Sequence, residues 1–178
     1  GSSFWSGYDY SIGELIVFIP ADNQNNPWEI LRYLPLLDHV DIVIPFVFNN
    51  NVRSIFRNVL SYLYRFIINT TFLVNLNYTN GTVLYRKSIL EKVQNRSSSF
   101  FFNTDIIIRC VKMGYLFAEV PYKLDGRKTG SSKAISYPSL KLVVKGYFKL
   151  IRDLSLIRLN KRKLKFVRGS LSEKRNVG

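Results

Sequence analysis

Cysteine, histidine and methionine each occur once in this chain of 178 residues. A lone Cys110 excludes an internal disulfide, and with a lone His39 it excludes the usual His/Cys zinc sites. That usage points to a reducing, cytoplasmic setting. No apolar run approaches the roughly 18 residues of a membrane-spanning helix, and nothing at the start resembles a secretory leader. Acidic residues are scarce as well, with 12 Asp/Glu against 26 Lys/Arg and a net charge of +14. The excess is local: from Lys133 onward, 13 Lys/Arg face only Asp153 and Glu173, leaving the first 132 residues close to neutral. The basicity therefore belongs to the end of the chain and not to its globular part.

What is present suits one soluble domain. Apolar residues make up 47% and charged residues 21%, and the length allows a sizeable core. Small residues at Ser3, Gly7 and Ser11 predict a helix over 3–13 with a face open to close backbone approach, stopped by Gly13. The run Leu15-Ile16-Val17-Phe18-Ile19 reads as a buried strand ending near Asp22. Pro27 opens a helix that Pro35 ends or kinks. Asp41-Ile42-Val43-Ile44 is a second strand, ending at Pro45. A helix follows over 52–68, with Ile55, Val59, Tyr62, Leu63 and Phe66 on its inner face. Thr79-Asn80-Gly81 is a turn before a strand over 82–85, and a short helix covers 87–93. Asn103 or Thr104 caps a helix that Gly114 stops. Residues 115–122 are strand-like, with Pro121 marking an edge or an end. Alternating strands and helices favour an α/β sheet.

Four features carry chemistry. In open α/β sheets ligands sit beyond the carboxyl ends of the strands, and Asp22 and Gln24 lie two apart just past one. They are either a plain turn or an oxygen pair for a hard divalent cation that keeps its waters and takes substrate phosphate. The stretch 125–133 (Asp-Gly-Arg-Lys-Thr-Gly-Ser-Ser-Lys) combines cations, glycines and hydroxyls suited to an anion, although its spacing is not that of a Walker loop. Asp105 opens a helix, where a negative charge complements the dipole. Arg53 and Arg57, one turn apart, are either a phosphate grip or a solvated face.

The order of these blocks resembles the family 2 inverting glycosyltransferases, in the branch of dolichol-phosphate mannose synthases and bacterial polyprenyl-phosphate sugar transferases. Pro20-Ala21-Asp22-Asn23-Gln24 is similar to that family's Asp-Ala-Asp-x-Gln turn. Arg57-x3-Ser61, Asn80-Gly81-x3-Tyr85-Arg86, Asp105 with Gly114, Glu119-Val120-Pro121 and Arg127-x2-Gly130-x-Ser132-Lys133 follow in register, over about residues 13–154. The resemblance implies a GT-A type, Rossmann-like α/β fold without its N-terminal nucleotide-binding strands. It implies inverting transfer of a sugar from a nucleotide-sugar donor to a polyprenyl phosphate or other membrane-borne acceptor. By the same resemblance Asp22 and Gln24 hold a divalent cation, Mg²⁺ or Mn²⁺. Arg127, Ser132 and Lys133 bind the donor diphosphate or acceptor phosphate, Arg57 contacts phosphate, and Asp105 lies near the acceptor. Two departures stand out: Pro20 replaces the first Asp of the metal turn, and Val47 stands where relatives carry Arg. They fit a divergent branch, or an inactive membrane-surface module that keeps the fold.

Residues 1–136 are expected to form the catalytic part, 137–157 an amphipathic helix and 158–178 a disordered basic tail. Lys141, Lys145, Lys149 and Arg152 share one stripe, while Leu140, Val143, Val144, Tyr147, Leu150, Ile151 and Leu154 make the opposite face. Such a helix suits an anionic membrane surface or simply packs on the sheet with solvated lysines. Its aromatics lie away from the cations, which argues against nucleic acid. A peripheral membrane location is the resulting expectation.

Overall fold

A computed structural model describes residues 1–20, 24–49, 54–93, 96–125, 137–159 and 166–177. In chain order they form α1 (Ser2–Tyr10), β1 (Leu15–Val17), α2 (Pro27–Leu31), a 3-10 turn (Leu34–Asp38), β2 (Ile42–Val47) and α3 (Ile55–Phe72). β3 (Leu84–Arg86), α4 (Lys87–Glu91), α5 (Phe102–Met113), β4 (Phe117–Tyr122), α6 (Tyr137–Leu159) and α7 (Leu171–Val177) follow.

The strands make one mixed sheet in the order β1-β3-β2-β4. β3 is antiparallel to both β1 and β2, and β2 is parallel to β4. Strands β1, β2 and β4 therefore run the same way and end on one edge. β2 continues through Pro45 to Val47, two residues beyond the expected end. Its pairing with β3 stops at Val43, so the missing N–H of Pro45 breaks no ladder on that side. Strand alternation sends Ile42 and Ile44 to one face, against Phe4, Phe72, Ile106 and Leu150, and Val43 and Val47 to the other, against Ile30 and Leu37.

Several helices differ from expectation. α1 ends at Ser11, whose N–H returns to the Gly7 and Tyr8 carbonyls, and it buries Phe4, Trp5 and Tyr8 instead of the small residues. Nothing lies within 4 Å of where a Gly7 Cβ would be, so the aromatic face does the packing. Asn26 caps α2 by accepting from the Trp28 N–H at 3.0 Å, and Pro35 lies within the 3-10 turn. Asn103 and Thr104 do not cap α5. They are buried, with Asn103 accepting from the Tyr85 hydroxyl at 2.9 Å and donating to the Gly81 carbonyl. Gly114, at φ 86°, ends α5 as expected.

The largest correction concerns α3. It buries Ile68 and Phe72, whereas Ile55, Val59, Tyr62, Leu63 and Phe66 face outward. The inner side is instead anchored by Tyr64, whose hydroxyl shares a 2.7 Å hydrogen bond with Thr104. Burial pushes the Tyr64 hydroxyl up to about 12.

The tail is also different, because α7 is folded onto the sheet. The buried Asp41 carboxylate accepts from the N–H groups of Leu171 (2.9 Å) and Ser172 (3.0 Å) and from the Ser172 hydroxyl. That hydroxyl in turn accepts from the Leu116 N–H at 2.7 Å. A charged group fully removed from water needs such donors, and α7 supplies them. α6 runs to Leu159, past the expected 157. Val143, Tyr147, Leu150, Ile151 and Leu154 pack inward, but Leu140 and Val144 are exposed. No described helix is long and apolar enough to cross a membrane.

α6 approaches α5 closely at Gly146, where a Cβ would stand 2.9 Å from Cδ1 of Phe101. Gly146→Leu is expected to lower stability by about 2 kcal/mol in denaturant unfolding, despite leucine's better helix propensity, because the added volume must displace Phe101.

Candidate active site at the carboxyl edge of the sheet

The segments leaving β1, β2 and β4 meet at the edge where those strands end. The Asp125 N–H donates to the Gln24 carbonyl at 2.9 Å. Asn49, just past β2, clamps Leu124 reciprocally: its amide nitrogen donates to the Leu124 carbonyl (2.8 Å) and its oxygen accepts from the Leu124 N–H (2.9 Å). Two more ties come from α2 and the turn after it: the Lys123 N–H donates to Glu29 of α2 (3.4 Å), and the Tyr33 hydroxyl, just past α2, donates to the Pro121 carbonyl (2.5 Å). Four hydrogen bonds from side chains thus hold the end of β4 against the turns after β1 and β2.

Asp22, Arg127, Ser132 and Lys133 lie outside the described residues, as does Arg53. Their described neighbours, Gln24 and Asp125, are the two residues joined by the backbone hydrogen bond. Gln24 is buried at this junction. Among the described residues no three His, Cys, Asp or Glu side chains gather where they could hold a metal. A cation here would draw on Asp22 and Gln24, one carboxylate and one amide oxygen. That donor set suits a hard ion that leaves several positions to water and phosphate.

Beside this junction is a cleft of about 540 Å³. Phe46, Val47 and Phe48 line it from the end of β2, Asn58, Ser61, Tyr62 and Arg65 from α3, and Asn77 and Tyr78 from the turn before β3. The volume is that of a small-molecule site, and its walls mix apolar side chains with a few polar groups. Glu119 of β4 braces the turn, accepting from the Asn77 N–H at 2.6 Å and from its side-chain amide at 3.0 Å. Burial pushes the Glu119 carboxyl up, partly offset by these bonds and by Arg65.

Sequence reasoning named Arg57 on α3, but the cation lining the cleft is Arg65, two turns further on. Arg57 is half-buried, and its N–H donates to the Ser54 cap at 3.4 Å. The signal for the cleft was present: Asn58, Ser61 and Arg65 form a polar stripe at i, i+3, i+7 beside the apolar face of the helix.

Asp105 is only 1% exposed and is not in the cleft lining. Arg109 binds it with two nitrogens, Nε to Oδ2 at 3.0 Å and Nη2 to Oδ1 at 3.2 Å. The same guanidinium reaches Asp153 of α6 at 2.8 Å. One arginine between two carboxylates joins α5 to α6, and all three groups are charge-assisted donors or acceptors.

No family model matches the chain. Its fold is the GT-A glycosyltransferase fold, as the solved structures similar to it establish. Glucosyl-3-phosphoglycerate synthase from Mycobacterium tuberculosis, in complex with phosphoglyceric acid, aligns at a TM-score of 0.65 with 14% identity, over 83% of this chain and 53% of that one. The same enzyme with Mn²⁺, uridine diphosphate and phosphoglyceric acid aligns at 0.64 with 14% identity, over 83% and 52%. A structure described as a mycobacterial protein aligns at 0.59 with 18% identity, over 83% and 50%. The chain thus spans about half the length of these structures.

Asp105→Asn is expected to cost about 3 kcal/mol in denaturant unfolding, because it leaves a largely buried guanidinium with one partner. Burial raises the Asp153 carboxyl, but hydrogen bonds from Arg109 and Arg152 outweigh it and hold it below its ordinary value. Its contribution is therefore complete above the unfolded carboxylate pKa and is lost as pH falls through the folded one. The stability deficit of Asp153→Asn should be full at neutral pH and shrink below about pH 4.

Proposed function

We propose that this chain is the acceptor-side part of an inverting glycosyltransferase. It would move a sugar from a nucleotide-sugar donor to a membrane-borne phosphate acceptor of the polyprenyl-phosphate kind. The observation that carries the reading is the Asp125–Gln24 hydrogen bond. Its two residues stand two positions in sequence from Asp22 and from Arg127, so it ties together the chain next to each of them. The fold and the neighbouring cleft support the same reading, as do the Mn²⁺ and uridine diphosphate complexes of the similar structures.

In this proposal Asp22 and Gln24 hold a divalent cation, which supplies positive charge to the departing diphosphate. Arg127 and Lys133 neutralise the same leaving group, with the Ser132 hydroxyl as a further donor. The acceptor head group enters the cleft, where Arg65 offsets its charge and Asn58, Ser61 and Asn77 hydrogen-bond its oxygens. Val47 removes a cation from that wall, and Arg65 restores one; Arg57 is a second cation on the same helix. A phosphate acceptor is already a nucleophilic anion, so the transfer requires little base catalysis. Asp105, committed to Arg109, is then a positioning residue that fixes α5 against α6. The exposed lysines of α6 contribute attraction to an anionic surface.

In full-length protein containing this chain, Asp22→Ala should lower nucleotide-sugar hydrolysis with Mg²⁺ or Mn²⁺ by about a hundredfold or more. An unchanged rate would remove the metal assignment and favour the inactive module. Arg65→Ala should raise the acceptor KM about tenfold or more while leaving donor hydrolysis near wild type. Reversing Lys141, Lys145 and Lys149 to Glu should abolish flotation with anionic liposomes, and undiminished flotation would overturn the interfacial role of α6.

A further inference from the structure

Between α3 and β3 the chain has no regular structure, and side chains from three neighbouring elements fix its course. Asn69 of α3 holds Leu76, its amide donating to the Leu76 carbonyl (3.0 Å) and its oxygen accepting from the Leu76 N–H (3.2 Å). The Thr104 hydroxyl of α5 lies 3.0 Å from that of Thr79 and 3.1 Å from the Asn80 amide oxygen. Between these anchors, Glu119 of β4 accepts from both nitrogens of Asn77, the backbone N–H and the side-chain amide. Carboxylate oxygens only accept, so the Asn77 side chain must turn its nitrogen toward them. The next ring, Tyr78, lies over Gly81, where a Cβ would stand 2.9 Å from its Cδ1. Asn77 and Tyr78 are what this turn contributes to the cleft, and Glu119 stands behind them, outside the lining.

Glu119 differs from the other two anchors in two ways. It is charged, and burial pushes its carboxyl up, with the Asn77 bonds and then Arg65 of α3 offsetting part of the rise. A carboxyl raised above its unfolded value lowers stability as pH rises through those values, so the ionised side chain is held at a cost. Asp153 is the opposite case, since its bonds to Arg109 and Arg152 stabilise the fold. A charge retained at a cost beside a cleft points to a role in that cleft. The second difference is its strand. β4 runs on to Leu124 and Asp125, the junction tied to Asn49 and Gln24. One strand thus carries both the brace of the cleft wall and the root of the segment that leads to Arg127.

We propose that Glu119 is a positioning residue for the acceptor: its carboxylate sets Asn77 and Tyr78 relative to Arg65, in fixed register with the donor junction. It acts through Asn77 and touches no substrate. This rests on the acceptor reading of the cleft given above and adds the group that shapes it.

The test titrates farnesyl phosphate, an isoprenoid monophosphate, onto full-length protein containing this chain, and follows urea unfolding of the same variants at neutral pH. Glu119→Gln keeps an oxygen for the Asn77 N–H but presents its own amide nitrogen to the Asn77 side chain, which then loses its partner or turns over. It should weaken binding about fivefold or more while the unfolding midpoint stays near wild type. The same substitution should have little further effect once Asn77→Ala has removed the side chain it acts through. Weakened binding that only follows a fall in the unfolding midpoint overturns the inference, as do additive effects of the two substitutions. Wild-type affinity in Glu119→Gln, with Arg65→Ala still weakening binding, overturns it while sparing the acceptor reading. If Arg65→Ala binds as the wild type does, or the wild type does not bind, the acceptor reading falls and this inference falls with it.

Discussion

One reversed strand organises this molecule. Because β3 runs against both of its neighbours, β1, β2 and β4 all point the same way and finish at a common edge. The ends of strands leave backbone donors and acceptors unpaired, and here they are answered by Asn49, by Gln24, by Glu29 of α2 and by Tyr33 just after it. The result is a fixed junction at which the segments flanking Asp22 and Arg127 meet. Segments leaving a sheet keep a fixed position only when the scaffold ties their roots, and these hydrogen bonds tie Gln24, Asn49 and Leu124 to Asp125 at one place.

The second organising feature is charge handled inside the fold. Asp41 and Asp105 are both almost completely buried; Asp41 is satisfied by a part of the chain distant in sequence, and Asp105 by Arg109 one turn along its own helix. Asp41 draws in α7 through backbone and hydroxyl donors, so part of the basic end belongs to the domain. Asp105 works through Arg109 to bring α6 onto α5. A buried carboxylate without such partners would be destabilising, so each is a constraint on where the last helices can go.

α3 then separates the two sides of the proposed site. Its inner side holds Tyr64 and Ile68 in the fold, its polar flank lines the cleft, and its apolar stripe is left to the exterior. A helix with three chemically distinct flanks sets a polar cleft beside an apolar surface, and Tyr62 belongs to both.

Local pattern alone determined the alternation of strands and helices, the left-handed stop at Gly114 and the α/β class. Each follows from backbone sterics or from side-chain periodicity over a few residues. The Pro121 strand read as an edge or an end, and the strand order makes it an edge. The ordered blocks around Asp22, Gly81, Asp105 and Lys133 made the glycosyltransferase fold legible before any contact was known. Tertiary structure decided what each pattern faces. An apolar stripe at helical spacing reports amphipathicity and not direction, which is why Ile55 to Phe66 read as core and proved external. Asn103 and Thr104 had the composition of caps, yet the neighbouring Gly81, Tyr85 and Tyr64 gave them interior partners. Arg57 and Arg65 are the same residue type two turns apart, and only the packing of α3 against the end of β2 assigns one of them to the cleft.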